Sequence, residues 1–155
     1  MFKEALERDL YEPKLLSFLN YFNIEKFVKK YCVEGEMVLE KPKVVRVSEM
    51  RAELVPNTKG TTIKVLFSPE ETLTYAMRVF EMEPGGHIPA HKHPWEHEIF
   101  ILEGIVKAKV GDEVFTLESG TAIYIPPNIV HEYWNIGNSK ARFICTIPNK
   151  PTAPC

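Results

Sequence analysis

From Lys43 onward the sequence is cut into short stretches rich in valine, isoleucine and aromatic residues, separated by glycine and proline. Pro84-Gly85-Gly86, Gly104, Gly111-Asp112, Ser119-Gly120, Pro126-Pro127 and Gly137-Asn138 are the punctuation. Segments this short cannot bury a helical face, but they suit strands joined by turns. The candidates are Lys43–Val47, Thr61–Phe67, Thr72–Met82, Glu98–Leu102, Ile105–Val110, Glu113–Leu117, Ala122–Ile125, Ile129–Trp134 and Lys140–Ile147. Closely spaced strands without intervening helices predict an antiparallel sandwich or barrel.

The first part of the chain has a different period. Leu15, Phe18, Leu19 and Phe22 follow the i, i+3, i+4, i+7 pattern of a helix, and Ile24, Phe27, Val28 and Tyr31 extend the stripe. Residues 1–41 are therefore expected to be a helical extension, packed on the barrel or on a second subunit, and residues 42–155 the barrel domain. The formal net charge of −2 argues against nucleic acid as partner, because phosphate binding needs a basic face. The apolar runs fall short of the roughly 20 residues that span a bilayer, and Met1–Leu10 carries acids where a secretory signal is apolar. Cys32, Cys145 and Cys155 form an odd set without CxxC spacing. A reducing, cytoplasmic setting is the corresponding expectation.

The five histidines all lie between His87 and His131. In extended chain, side chains at i and i+2 point the same way, so His91 and His93 can reach one ion together. A further ligand can return after the Pro94-Trp95 turn, and His131 is the histidine distant enough to reach in from another strand. Imidazole serves Mn, Fe, Ni, Cu and Zn alike, so the spacing does not choose among them.

These spacings resemble the two cupin motifs. Gly85, His91, His93 and Gly104 fit the first, G(X)5HXH(X)3,4E(X)6G, with His97 in the usual glutamate slot. Strand parity agrees: His97 shares a face with Ile99 and Ile101, leaving Glu98 on the other. Gly120, Pro126, His131 and Asn135 fit the second, G(X)5PXG(X)2H(X)3N, with Asn128 replacing the middle glycine. Asparagine is well suited to the left-handed turn this position needs. The run from His91 to Phe100 is similar to that of small single-domain microbial cupins with four-histidine sites, the best known of which bind manganese. The resemblance implies an all-β cupin double-stranded β-helix, a jelly-roll barrel, with His91, His93, His97 and His131 holding one divalent first-row transition metal ion. Manganese is the ion implied, with Fe, Ni, Cu and Zn open.

His87 falls outside the motif slots and reads as a turn residue. Glu96 and Glu98 read as surface or supporting groups, and Trp95 as a lid or as loop packing. Phe143, Cys145 and Ile147 share the more apolar face of the last strand, which puts Cys145 near the metal mouth, either as a small core residue or as a reactive thiol. Arg78 shares a face with Ala76 and Phe80. If that face is inward, Arg78 is the candidate catalytic residue, holding a substrate anion; otherwise it is a surface arginine. Ile88, Phe143 and Cys145 are the candidate substrate-pocket walls.

The resemblance implies a homodimer acting on a small molecule. The preferred expectation is oxidation in the style of a cupin dioxygenase. The alternatives are a non-redox isomerase or lyase acting on a sugar or small acid, and a non-catalytic ligand-binding cupin.

Overall fold

The computed structural model describes residues 42–150. The expected helical extension and the terminal Cys155 lie outside the described residues. Within them are nine strands: β1 (Glu53–Leu54), β2 (Lys59–Phe67), β3 (Tyr75–His91), β4 (His97–Glu103), β5 (Ile105–Val110), β6 (Glu113–Glu118), β7 (Ala122–Ile125), β8 (His131–Asn135) and β9 (Ala141–Pro148). All pair antiparallel, in the order β6-β5-β8-β3-β9-β4-β7, with β2 beside β3 and β1 beside β2. The result is a nearly closed jelly-roll barrel.

Strand β3 makes the barrel possible. Its first half pairs with β9, from Tyr75↔Pro148 to Met82↔Ala141. Its second half pairs with β8, at His87↔Trp134, Ile88↔Tyr133 and His91↔His131. The chain changes neighbours at Pro84-Gly85-Gly86, where a strand end was expected. There the strand bends instead of stopping. Lys59 pairs with His87 and Thr61 with Met82, so Gly60 alone faces Glu83–Gly86. Gly85 has a φ of 69°, and a Cβ on Gly86 would lie 2.8 Å from the Glu83 carbonyl oxygen. Glycine lets the backbone pass where a side chain would stop it.

The motif glycine before β5 has a similar cause. Gly104 has a φ of 79°, and a Cβ there would lie 2.7 Å from the Ala141 Cα. Asn128 adopts a φ of 63°, the left-handed turn expected of it. Asn135 is buried, and its side-chain amide donates to the Met82 and Ser139 carbonyls while its oxygen accepts from the Gly137 N–H. This asparagine pins the end of β8 to β3.

Two expected boundaries differ. Lys43–Val47 is not a strand: Val44 is 89% exposed, and no strand among the described residues pairs with it. Conversely, Glu53–Leu54 pairs with Ile63 and Thr62, a contact too short to leave an alternation in sequence. The inward residues of both halves, including Met82, Ile88, Ile99, Ile101, Val106, Tyr133, Phe143 and Cys145, form one core. Burying each large side chain contributes about 1.5–3 kcal/mol.

Candidate metal centre

The four predicted ligands come from four places. His91 ends β3, His93 follows in the loop, His97 opens β4 and His131 opens β8. One ligating atom each from His91, His93 and His131 lies within 4.8 Å of the others. His97 joins through His93, with 2.6 Å between their Nε2 atoms and 4.9 Å between the His97 and His131 rings. The loop is held in turn by the Asn128 N–H, which donates to the His93 carbonyl at 2.9 Å. The turn of the second motif therefore positions a ligand of the first.

The tautomers favour ligation. His91 Nδ1 donates to the Pro89 carbonyl, His93 Nδ1 to Trp95 and His131 Nδ1 to Ile129, at 2.8–2.9 Å. Each such bond fixes the ring and leaves the Nε2 lone pair free. His131 Nε2 is buried without a hydrogen-bond partner. His93 Nε2, already a lone pair, lies 2.6 Å from His97 Nε2, the distance of a hydrogen bond that His97 donates. Burial lowers the His93 pKa, carries His97 down to about 2 and His131 to about 4, and neighbouring histidines add to each shift. These three rings are therefore neutral at pH 7, the form that binds metal. An orphaned buried nitrogen, converging lone pairs and neutral imidazoles fit a divalent transition ion.

The residues around the cluster fall as strand parity predicts. His97, Ile99 and Ile101 are buried, whereas Glu98 and Phe100 are exposed. Glu96 accepts a hydrogen bond from the Tyr124 hydroxyl at the surface. His87 points away from the cluster, bonding Glu132 at 2.6 Å and stacking on Trp134. Trp95 lies flat against His93, ring centroids 4.2 Å apart, so it packs on a ligand ring.

Arg78 takes the inward alternative. Its Nη2 donates to the Cys145 sulfur at 3.1 Å, and its guanidinium lies over Phe80. His97 Nδ1 approaches the same sulfur at 3.0 Å. Cys145 thus links the arginine to a histidine of the cluster. Burial raises its pKa, against the pull of Arg78, so it remains a thiol rather than a nucleophile. Ile88, Phe143 and Cys145 are all in the core.

Tyr133 is missing from the sequence-derived set. It is 4% exposed, shares the inward face of β8 with His131, and its hydroxyl is buried without a partner. Its signal was parity: it stands two residues beyond a predicted ligand.

The cupin domain family matches residues 78–147, which contain the whole site. Polyketide synthase CurC of Streptomyces cyaneus is 30% identical over 118 residues, 74% of this chain and 73% of its own. The chain belongs to the cupin family. Among solved structures, this cupin is similar to the polyketide cyclase RemF of Streptomyces resistomycificus, at 30% identity and a TM-score of 0.66 over 73% of this chain and 83% of that one. It is also 31% identical to 1-methylthio-D-xylulose 5-phosphate methylsulfurylase of Rhodospirillum rubrum, over 62% of this chain and 63% of the relative. No helix among the described residues is long and apolar enough to cross a membrane.

Proposed function

We propose that this cupin is a metal-dependent enzyme acting on a small organic molecule that carries an anionic oxygen. The observation that carries the reading is the set of Nδ1–H bonds to backbone carbonyls, which aim the Nε2 lone pairs of His91, His93 and His131 at a common centre. These three and His97 are the proposed ligands of one divalent first-row ion, with manganese the first to try. Such an ion, when bound, supplies Lewis acidity to an oxygen atom of the substrate. With four neutral donors the centre keeps its full positive charge, and Arg78 adds another. An anion is the complementary guest. Arg78 would orient that anion, and Ile88, Phe143 and Cys145 would shape the space and exclude water.

The reaction we favour uses no dioxygen. The likeness to a protein described as a polyketide cyclase supports this, since ring closure by condensation has no net oxidation. A second reading, dioxygenase-like oxidation, draws support from the ligand set, which holds no carboxylate to act as base. On either reading the partner is a small molecule rather than nucleic acid or membrane, in a cytoplasmic homodimer; light scattering in solution tests the assembly.

Elemental analysis of tag-free protein should find about one first-row ion per chain. The paired variant His93→Ala, His131→Ala should lose it while keeping a cooperative thermal transition. The protein should then be given phenols, β-dicarbonyls and small organic acids with and without air. Turnover with zinc under anaerobic conditions supports the favoured reaction. Oxygen consumption matched to product supports oxidation. Full metal retention in the paired variant overturns the centre.

A further inference from the structure

Among the described residues, Trp95 Nε1 and Arg142 Nε are buried donors without a hydrogen-bond partner, and two more lie beside the core rings. The Tyr133 hydroxyl and Arg78 Nε are both buried and unpartnered. Tyr133, on β8, pairs with Ile88 of β3 and Ala108 of β5, whereas Arg78, in the first half of β3, pairs with Cys145 of β9. Tyr133 sits beside His131, ring centroids 5.7 Å apart, and beside Phe143 at 6.1 Å. The Phe143 ring in turn lies 5.2 Å from Phe80, over which the Arg78 guanidinium sits at 5.4 Å, so the two groups meet the same pair of rings.

Both donors are costly to leave idle. A buried donor without a partner gives up its bond to water and gains none in return. The tyrosine oxygen could accept from the guanidinium and does not, so neither group satisfies the other. Among the described residues no carboxylate pairs with Arg78; its contacts are the Cys145 sulfur and the Phe80 ring. A part-buried cation without a carboxylate partner, and an idle hydroxyl packed on the same rings, suit an anionic acceptor. The surrounding rings are apolar: Phe80 and Phe143 stack at 5.2 Å.

We propose that the Tyr133 hydroxyl and the Arg78 guanidinium together seat one anionic oxygen of the substrate, a carboxylate or a phenolate-type oxygen on a flat apolar body. This rests on the reading of the histidine centre as the reaction site and names the substrate class that site takes. Tyr133 supplies a neutral donor and selects oxygen acceptors; Arg78 supplies charge. Phe143 and Phe80 hold the flat body, with the centre of His91, His93, His97 and His131 beside it.

The test uses benzoate for the carboxylate and 4-nitrophenolate for the phenolate, titrated into the full chain in metal-free and manganese-loaded forms. Calorimetry reads both, and the colour of the bound anion reads the second. Wild type should bind at least one probe saturably. Tyr133→Phe should weaken that binding roughly 10-fold or more, the loss of one charge-assisted hydrogen bond. Arg78→Gln should weaken it at least as much. Tyr124→Phe, at an exposed site, should not change it. Tyr133→Phe should also keep the metal content and unfold no earlier than wild type, because it removes an unsatisfied group. Unchanged affinity in Tyr133→Phe would overturn the proposal and leave the hydroxyl holding water only. So would a failure of both probes on wild type, or a marked loss of stability in Tyr133→Phe, which would make the hydroxyl structural. Metal-free wild type that binds probe through Tyr133, yet never takes up metal, would sink the proposed function and leave this inference standing.

Discussion

Acid should destabilise the metal-free protein before its carboxylates titrate. The cause is burial of histidines that are held neutral. In the unfolded chain each histidine takes up a proton near pH 6.5; in the fold, His97 waits until about pH 2 and His131 until about pH 4. Between those limits the unfolded state binds more protons, so stability falls as pH falls. From pH 7 to pH 5 the two groups together could remove about 4 kcal/mol if fully shielded. His91 is exposed at the mouth of the cluster, so solvent screens part of this, and about 2 kcal/mol is the working figure. For a chain of this size that lowers the melting temperature by roughly 4–8 °C. Differential scanning calorimetry of chelator-treated protein at half-unit pH steps measures it. The variant His97→Gln should flatten the slope by about half, separating the histidine effect from any carboxylate. Saturating metal at pH 7 should raise the melting temperature, and the gain should shrink as protons compete for the same nitrogens. A metal-free melting temperature that stays level from pH 7 to pH 5 would refute the assignment of these rings as neutral and buried.

Other substitutions probe the frame. Gly104→Ala meets both a positive φ and the Ala141 backbone, and should cost more than about 2 kcal/mol by denaturant unfolding. Asn135→Ala strands the Met82 and Ser139 carbonyls and the Gly137 N–H, and should cost about 2–3 kcal/mol in the same assay. Asn128→Gly should be nearly silent in metal affinity, whereas Asn128→Val should strain the left-handed turn that holds the His93 carbonyl and weaken metal binding several-fold by competition titration. Phe143→Ala opens the core beneath Tyr133 and should cost about 3–5 kcal/mol.

Much of this protein is written locally. Strand parity put His97 inward and Glu98 outward, and it put Phe143 and Cys145 inward on β9, because side chains alternate with a period of two whatever the fold around them. Motif spacing separated His87 from the other four histidines, and the structure turns His87 toward Glu132 and Trp134. Asn128 in a left-handed turn followed from the steric tolerance of asparagine. What local pattern could not give was which residues meet across the barrel. The inward face of Arg78 was undecided in sequence, since its neighbours Ala76 and Phe80 suit either face; the Cys145 sulfur across β3 and β9 decides it. The Pro84-Gly85-Gly86 bend reads locally as a strand end, and only pairing with β9 on one side and β8 on the other carries β3 through it. In sequence, Tyr133 is one position of an alternating strand. Its meaning comes from an absence of partners inside a closed interior, a property of the space between strands far apart in the chain.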